Sequence, residues 1–234
     1  MKNVATFRQL CYTFFTESIG GKKIGMYSVI VFILEVFGTV AFASSGAMVA
    51  IQKKMDLLGV IVLGICTAVG GGVIRDTLIG VTPPVTFRDP VYCLIATAVS
   101  ALTFLPAVRR ELTRHTAVYD RFMFWMDAIG LGVFTVIGVQ AAFAAVFECN
   151  RFLAVFVGVV TGVGGGVLRD VLAQNTPYIF VKHFYACASL IGAWLCAVLW
   201  KPCGSSIAML IGLAAVIVLR VLAAHFHWSL PKAG

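Results

Sequence analysis

GGGVIRDTL at residues 70–78 recurs as GGGVLRDVL at residues 164–172, and this repeated nonapeptide organises the whole chain. The match extends outward. Upstream, Gly64, Thr67 and Val69 correspond to Gly158, Thr161 and Val163; downstream, Pro83, Arg88 and Cys93 correspond to Pro177, Lys182 and Cys187 at the same offset. Further upstream a shift of two residues restores register, setting Glu35, Gly38, Phe42 and Gly46 against Asp127, Gly130, Phe134 and Gly138. A self-match of this length marks a duplicated unit.

The surroundings of the motif are apolar. Of 234 residues, 60% are hydrophobic and 12% charged, and mean hydropathy is +0.97, whereas soluble domains carry roughly a quarter charged residues. Runs of 18 or more residues nearly free of charge match the roughly 20 helical residues needed to cross hydrocarbon. The runs are continuous and lack the period-two alternation of a membrane barrel, so the spans are helices. Punctuation by Pro, Gly and charge places them at 27–51, 57–79, 90–108, 122–147, 152–173, 183–200 and 207–224. The expected fold is an all-α integral membrane protein of seven transmembrane helices. A tail or interfacial helix at 1–26 precedes a first three-helix repeat at 27–108, a basic loop at 109–121, a second repeat at 122–200, and a seventh helix and tail at 201–234. Three spans per repeat is an odd number, so the second repeat enters the membrane from the opposite side and the repeats are inverted. Residues 1–23 interleave Arg8, Glu17 and Lys22 with Phe7, Leu10 and Phe14, a pattern unlike a cleavable signal and suited to an interfacial segment.

The formal charge of +8 falls in loops and flanks rather than on one amphipathic face, which argues for membrane anchoring and against nucleic-acid binding. Arg109, Arg110, Arg114 and Arg121 make the 109–121 loop the expected cytoplasmic side. The seven cysteines are scattered with no CxxC and read as small buried hydrophobes.

Three successive glycines, Gly70, Gly71 and Gly72, and their twins Gly164, Gly165 and Gly166, each cost a helix roughly 1 kcal/mol relative to alanine. A break near mid-depth is one expectation, and its freed carbonyls and N–H groups would face a wet path. The alternative is close packing, because Gly64, Ala68 and Gly72, mirrored by Gly158, Gly162 and Gly166, form a small-residue ridge. Arg75 and Asp76, with Arg169 and Asp170, lie in or at the edge of the bilayer, where a charge requires a partner. Depth matching pairs Glu35 with Arg75 and Asp127 with Arg169. Ser44, Ser45, Thr67, Thr135, Gln140 and Thr161 either line a wet path or bond backbone carbonyls. Arg88 and Lys182 are interfacial candidates for lipid headgroups. His225 and His227 lack a third ligand, so no metal or other cofactor is expected, and no Walker, zinc-protease, triad or dinucleotide motif points to an enzyme.

The paired GGGV(I/L)RD motifs, the seven-span pattern and the duplicated unit resemble the prokaryotic TRIC family, the trimeric intracellular cation channels, over roughly residues 27–224. The resemblance implies a multi-pass protein of the inner (plasma) membrane, a homotrimer surrounded by lipid. Each protomer would hold its own pore around the second and fifth helices, conducting K+ or Na+ with potassium foremost. It carries pore roles onto the six glycines and onto Arg75, Asp76, Arg169 and Asp170. The Lys-Glu-Val phosphoinositide motif of animal members is not found here, Thr67, Ala68 and Val69 standing before Gly70. The same bacterial family carries the label of a glycine transporter domain, and inverted repeats suit a secondary transporter of a small neutral amino acid equally well.

Overall fold

The structure is a computed structural model that describes residues 26–114, 116–146, 149–181, 184–226 and 228. The expected interfacial segment before residue 26, and Lys182, His183 and His227, lie outside these. The described residues form ten helices and no strand. They are α1 (Met26–Gln52), α2 (Leu57–Leu78), the short α3 (Val85–Arg88), α4 (Val91–Phe104), α5 (Pro106–Arg114), α6 (Thr116–Ala145), α7 (Arg151–Leu172), the short α8 (Tyr178–Val181), α9 (Tyr185–Leu199) and α10 (Ser205–His225). The first turns of α1, up to Ile33, belong to one unit and Leu34 onward to another; all packing below lies within the second.

Five helices, α1, α2, α6, α7 and α10, are long and apolar enough to cross a membrane. α4 and α9 are apolar but have only 14 and 15 residues. The 109–121 stretch, expected as a loop, is mostly helical. α5 follows α4 after Leu105, and α6 begins at Thr116 and extends the predicted 122–147 span by more than a turn.

The two motif helices are built alike. Asp56 caps α2 by accepting from Gly59 N at 2.7 Å, and Asn150 caps α7 by accepting from Leu153 N at 2.7 Å. Each helix has 22 residues. At the far end, Val81 N reaches back to Asp76 O and Asn175 N to Asp170 O, both at 2.8 Å. The chain leaves each helix through a left-handed residue, Gly80 at φ 77° and Gln174 at φ 54°.

Neither glycine run breaks its helix. α2 and α7 each pass through the three glycines as one uninterrupted α-helix, so the expected mid-depth break, with its freed carbonyls, is overturned. In hydrocarbon an unmade backbone hydrogen bond costs several kcal/mol, more than the propensity deficit of the glycines. The glycines serve contact instead. A Cβ on Gly71 would lie 2.4 Å from the carbonyl oxygen of Thr161, and one on Gly165 would lie 2.2 Å from that of Thr67. α2 and α7 therefore cross backbone to backbone, each helix offering a glycine to the other's threonine carbonyl. The same reciprocity appears one layer out, where Phe42 seats over Gly130 and Phe134 over Gly38, the two rings 5.2 Å apart.

Candidate functional site

The motif arginines and aspartates sit at the C-terminal ends of α2 and α7, beyond the glycine crossing. In both copies the Arg turns to its own neighbour: Arg75 Nε donates to Asp76 Oδ1 and Arg169 Nε to Asp170 Oδ1, each at 2.8 Å. The second carboxylate oxygen then accepts from the backbone of the next short helix, Val85 N at 2.8 Å for Asp76 and Tyr178 N at 2.9 Å for Asp170. Each aspartate is thus doubly bound, holding the helix end, its arginine and the returning chain together. All four side chains are buried.

Beyond that shared triangle the copies differ. Around Arg169 the expected pair forms: Arg169 Nη1 lies 3.0 Å from Asp127 Oδ1 and also donates to Ser45 Oγ at 2.5 Å. Asp127 gathers two further groups, the Tyr185 hydroxyl at 3.3 Å and Arg220 Nη2 at 3.5 Å. The guanidinium of Arg169 lies over the Tyr178 ring at 4.8 Å, and that of Arg220 over Tyr185 at 4.7 Å and Phe124 at 5.3 Å. Arg169, Asp127, Asp170 and Tyr185 are all at most 2% exposed and Arg220 is 4% exposed. Two arginines and two aspartates make this cluster formally neutral.

Around Arg75 the expected pair does not form. Among the described residues Glu35 is not ion-paired with Arg75; it accepts the phenol hydroxyl of Tyr92. The register explains this. By the motif offset Tyr185 corresponds to Val91, so Tyr92 stands one residue later and takes the carboxylate that its opposite number shares with two arginines. Arg75 and Asp76 cancel, leaving Glu35 as one formal negative charge beside a small open pocket. Thr39, Gly72, Arg75, Thr86 and Tyr92 line it with Glu35.

Of the other expected residues, Thr67 and Thr161 donate to the carbonyls of Leu63 and Val157, each at 2.6 Å, so both hydroxyls are spent on their own helices. Ser44 and Ser45 are buried, and Thr135 pairs with Ser189 at 2.7 Å. Gly70 faces Leu168, Gly164 faces Gly71, Gly166 lies against the Tyr185 hydroxyl, and Gly72 opens towards the cavity. Tyr92, Tyr185 and Arg220 were not anticipated. Arg220 had a signal, since it is a lone charge inside the apolar run of α10. No group of three or more His, Cys, Asp or Glu that could hold a metal occurs among the described residues.

Buried charge clusters at the ends of long apolar helices, tied by aspartates to the returning chain, define a multi-pass membrane protein. The chain belongs to the family described as glycine transporter, whose model matches residues 32–107 and again residues 124–201. It is 38% identical over 205 residues to the UPF0126 inner membrane protein YadS of Escherichia coli K12, covering 86% of this chain and 95% of that one. It is likewise 38% identical over 207 residues to a UPF0126 membrane protein of Vibrio cholerae, covering 86% and 82%. With these relatives the chain is assigned to the inner membrane. Among solved structures, one determined for the basis of conductance through TRIC cation channels superposes with TM-score 0.76 at 37% identity, covering 86% of this chain and 96% of that one. The TRIC trimeric intracellular cation channel orthologue from Rhodobacter sphaeroides gives TM-score 0.77 at 33% identity, covering 85% and 99%.

Proposed function

We propose that this protein is a monovalent cation channel, with potassium the foremost permeant ion, working as a homotrimer in which each protomer carries its own path beside the α2–α7 crossing. The observation that carries the reading is the carboxylate of Glu35, bonded by Tyr92 but in no ion pair among the described residues, at the small open pocket beside α2. A single acid in a low-dielectric wall concentrates cations, and its hydroxyl-bearing neighbours Thr39, Thr86 and Tyr92 are weak ligands of the kind a conducted ion enters and leaves. The likeness to solved TRIC cation channels supports the same reading.

In this proposal α4 and α9 complete seven spans, each lying beside the α2 or α7 of its own half, and the two halves are inverted repeats. The reciprocal contacts of Gly71 with Thr161 and of Gly165 with Thr67 support inversion, since a two-fold axis in the membrane plane generates such exchanges. The basic 109–121 segment faces the cytoplasm. The six motif glycines bring the two helices together beside the path, Gly72 touching it directly, and Glu35, Arg75 and Asp76 give it charge. Ser44, Ser45, Thr67 and Thr161 hold its inner wall. Asp127, Arg169 and Asp170 close the opposite end.

The rival is a carrier for glycine, supported by the description of the family. Reconstitution separates the two. Liposomes holding the protein should pass potassium down its gradient, and Gly72→Leu, which adds a side chain at the pocket wall where a Cβ meets no backbone within 4 Å, should lower that flux by about tenfold or more. Saturable glycine uptake with counterflow, in the absence of potassium flux, would overturn the channel.

A further inference from the structure

A second cleft lies at the opposite end of α2 from Glu35, where the α1–α2 turn meets the α4–α5 junction. Its lining is Ile51, Lys54, Met55, Phe104 and Arg109. Two cations thus stand over an apolar floor made of two aliphatic side chains and a ring. The Arg109 guanidinium lies 5.5 Å from the centre of the Phe104 ring, which fixes the charge directly above the apolar surface. Lys54 sits at φ 58°, in the left-handed region, its N–H bonded to Ile51 O at 3.0 Å, so the turn holds it at the rim immediately after α1 ends.

α5 gives the second observation. Its first turn and a half carries Arg109 and Arg110 beside Val108, so basic and aliphatic side chains share one short helix. Leu105 and Val108 are 49% and 39% exposed. A short basic amphipathic helix with exposed aliphatics, joined directly to an apolar helix, lies in the headgroup layer of a bilayer. The cleft therefore opens at the depth where phosphodiester meets hydrocarbon.

We propose that this cleft is a binding site for an anionic phospholipid, the headgroup phosphodiester held between Lys54 and Arg109 and the start of an acyl chain lying on Phe104, Ile51 and Met55. Charge complementarity commits the site to an acidic lipid: a zwitterionic headgroup brings its own cation towards Lys54 and Arg109. The apolar floor commits it to a lipid rather than a free anion, which leaves that floor wet. Two cations near the phosphate favour acidic over zwitterionic lipid by roughly tenfold to thirtyfold in Kd. The proposal is independent of whether the protein is a channel or a carrier, because its test reads lipid retention and not transport.

The test uses the full-length protein in a neutral detergent, titrated with dioctanoyl phosphatidylglycerol, dioctanoyl phosphatidylcholine or inorganic phosphate. Thermal unfolding and native mass spectrometry are the readouts. Phosphatidylglycerol should raise the unfolding temperature and remain bound, with neither effect from phosphatidylcholine or phosphate. Lys54→Gln with Arg109→Gln should weaken binding about tenfold or more, while Lys54→Arg with Arg109→Lys retains it. Lys53→Gln with Arg110→Gln removes the same charge from neighbouring exposed positions and should leave binding unchanged. Equal losses in the two neutralised pairs would reduce the effect to general surface charge and overturn the site. So would an equal response to phosphatidylcholine, or a phosphate response that reproduces the lipid's.

Discussion

The same seven-residue motif ends α2 and α7, and it ends them in the same local geometry, yet one copy closes a buried, neutral, four-charge cluster and the other borders a cavity with a spare carboxylate. The difference originates outside the motif. α10 has no counterpart in the first half, and it is α10 that delivers Arg220 to Asp127. Tyr185 enters the same cluster, whereas Tyr92, displaced by one position, draws Glu35 to itself. A duplicated motif thus sets the frame, and unduplicated partners decide which charges gather around it.

The sharpest way to break this comparison is to treat the two acids alike. Asp127→Asn leaves Arg169 and Arg220 facing each other at a buried site without their shared counter-charge, and should destabilise the fold by about 3–5 kcal/mol, read as loss of folded protein in thermal unfolding. An intermediate effect is expected at the crossing. Gly71→Ala and Gly165→Ala each force a Cβ into a carbonyl oxygen and should cost about 1–3 kcal/mol, similarly in the two copies, while Gly72→Ala should cost nothing and gain up to about 1 kcal/mol of helix propensity. Unequal costs at Gly71 and Gly165 would break the equivalence of the two helices. The smallest stability effect belongs to Glu35→Gln, within about 1 kcal/mol. That substitution removes the spare charge and should lower potassium flux in liposomes severalfold. A Glu35→Gln protein with unchanged flux would show that the cavity charge is not what draws the ion.

Much of this organisation is legible in the chain. Hydropathy locates the long helices to within a turn apart from the start of α6, self-comparison locates the paired Arg-Asp ends, and depth matching finds the Asp127–Arg169 contact. The helix break was misread because propensity scales describe a helix competing with water, whereas here a broken turn has no water to turn to. The Glu35–Arg75 pair was misread because depth matching treats a charge as seeking any opposite charge at its level. Arg75 finds one on the adjacent residue, and Glu35 finds a hydroxyl. Which tyrosine reaches which acid depends on a one-residue register difference after the motif, and no periodicity in the apolar text encodes it.

The aspartate hook at each helix end also bears on the order in which the protein is made. Asp76 satisfies Arg75, one residue away, and the N–H of Val85, nine residues on. Both motif copies therefore find local partners for their aspartates within nine residues of chain. Asp127 waits 42 residues for Arg169 and 93 for Arg220. The Asp127 cluster is therefore complete only once α10 has been made.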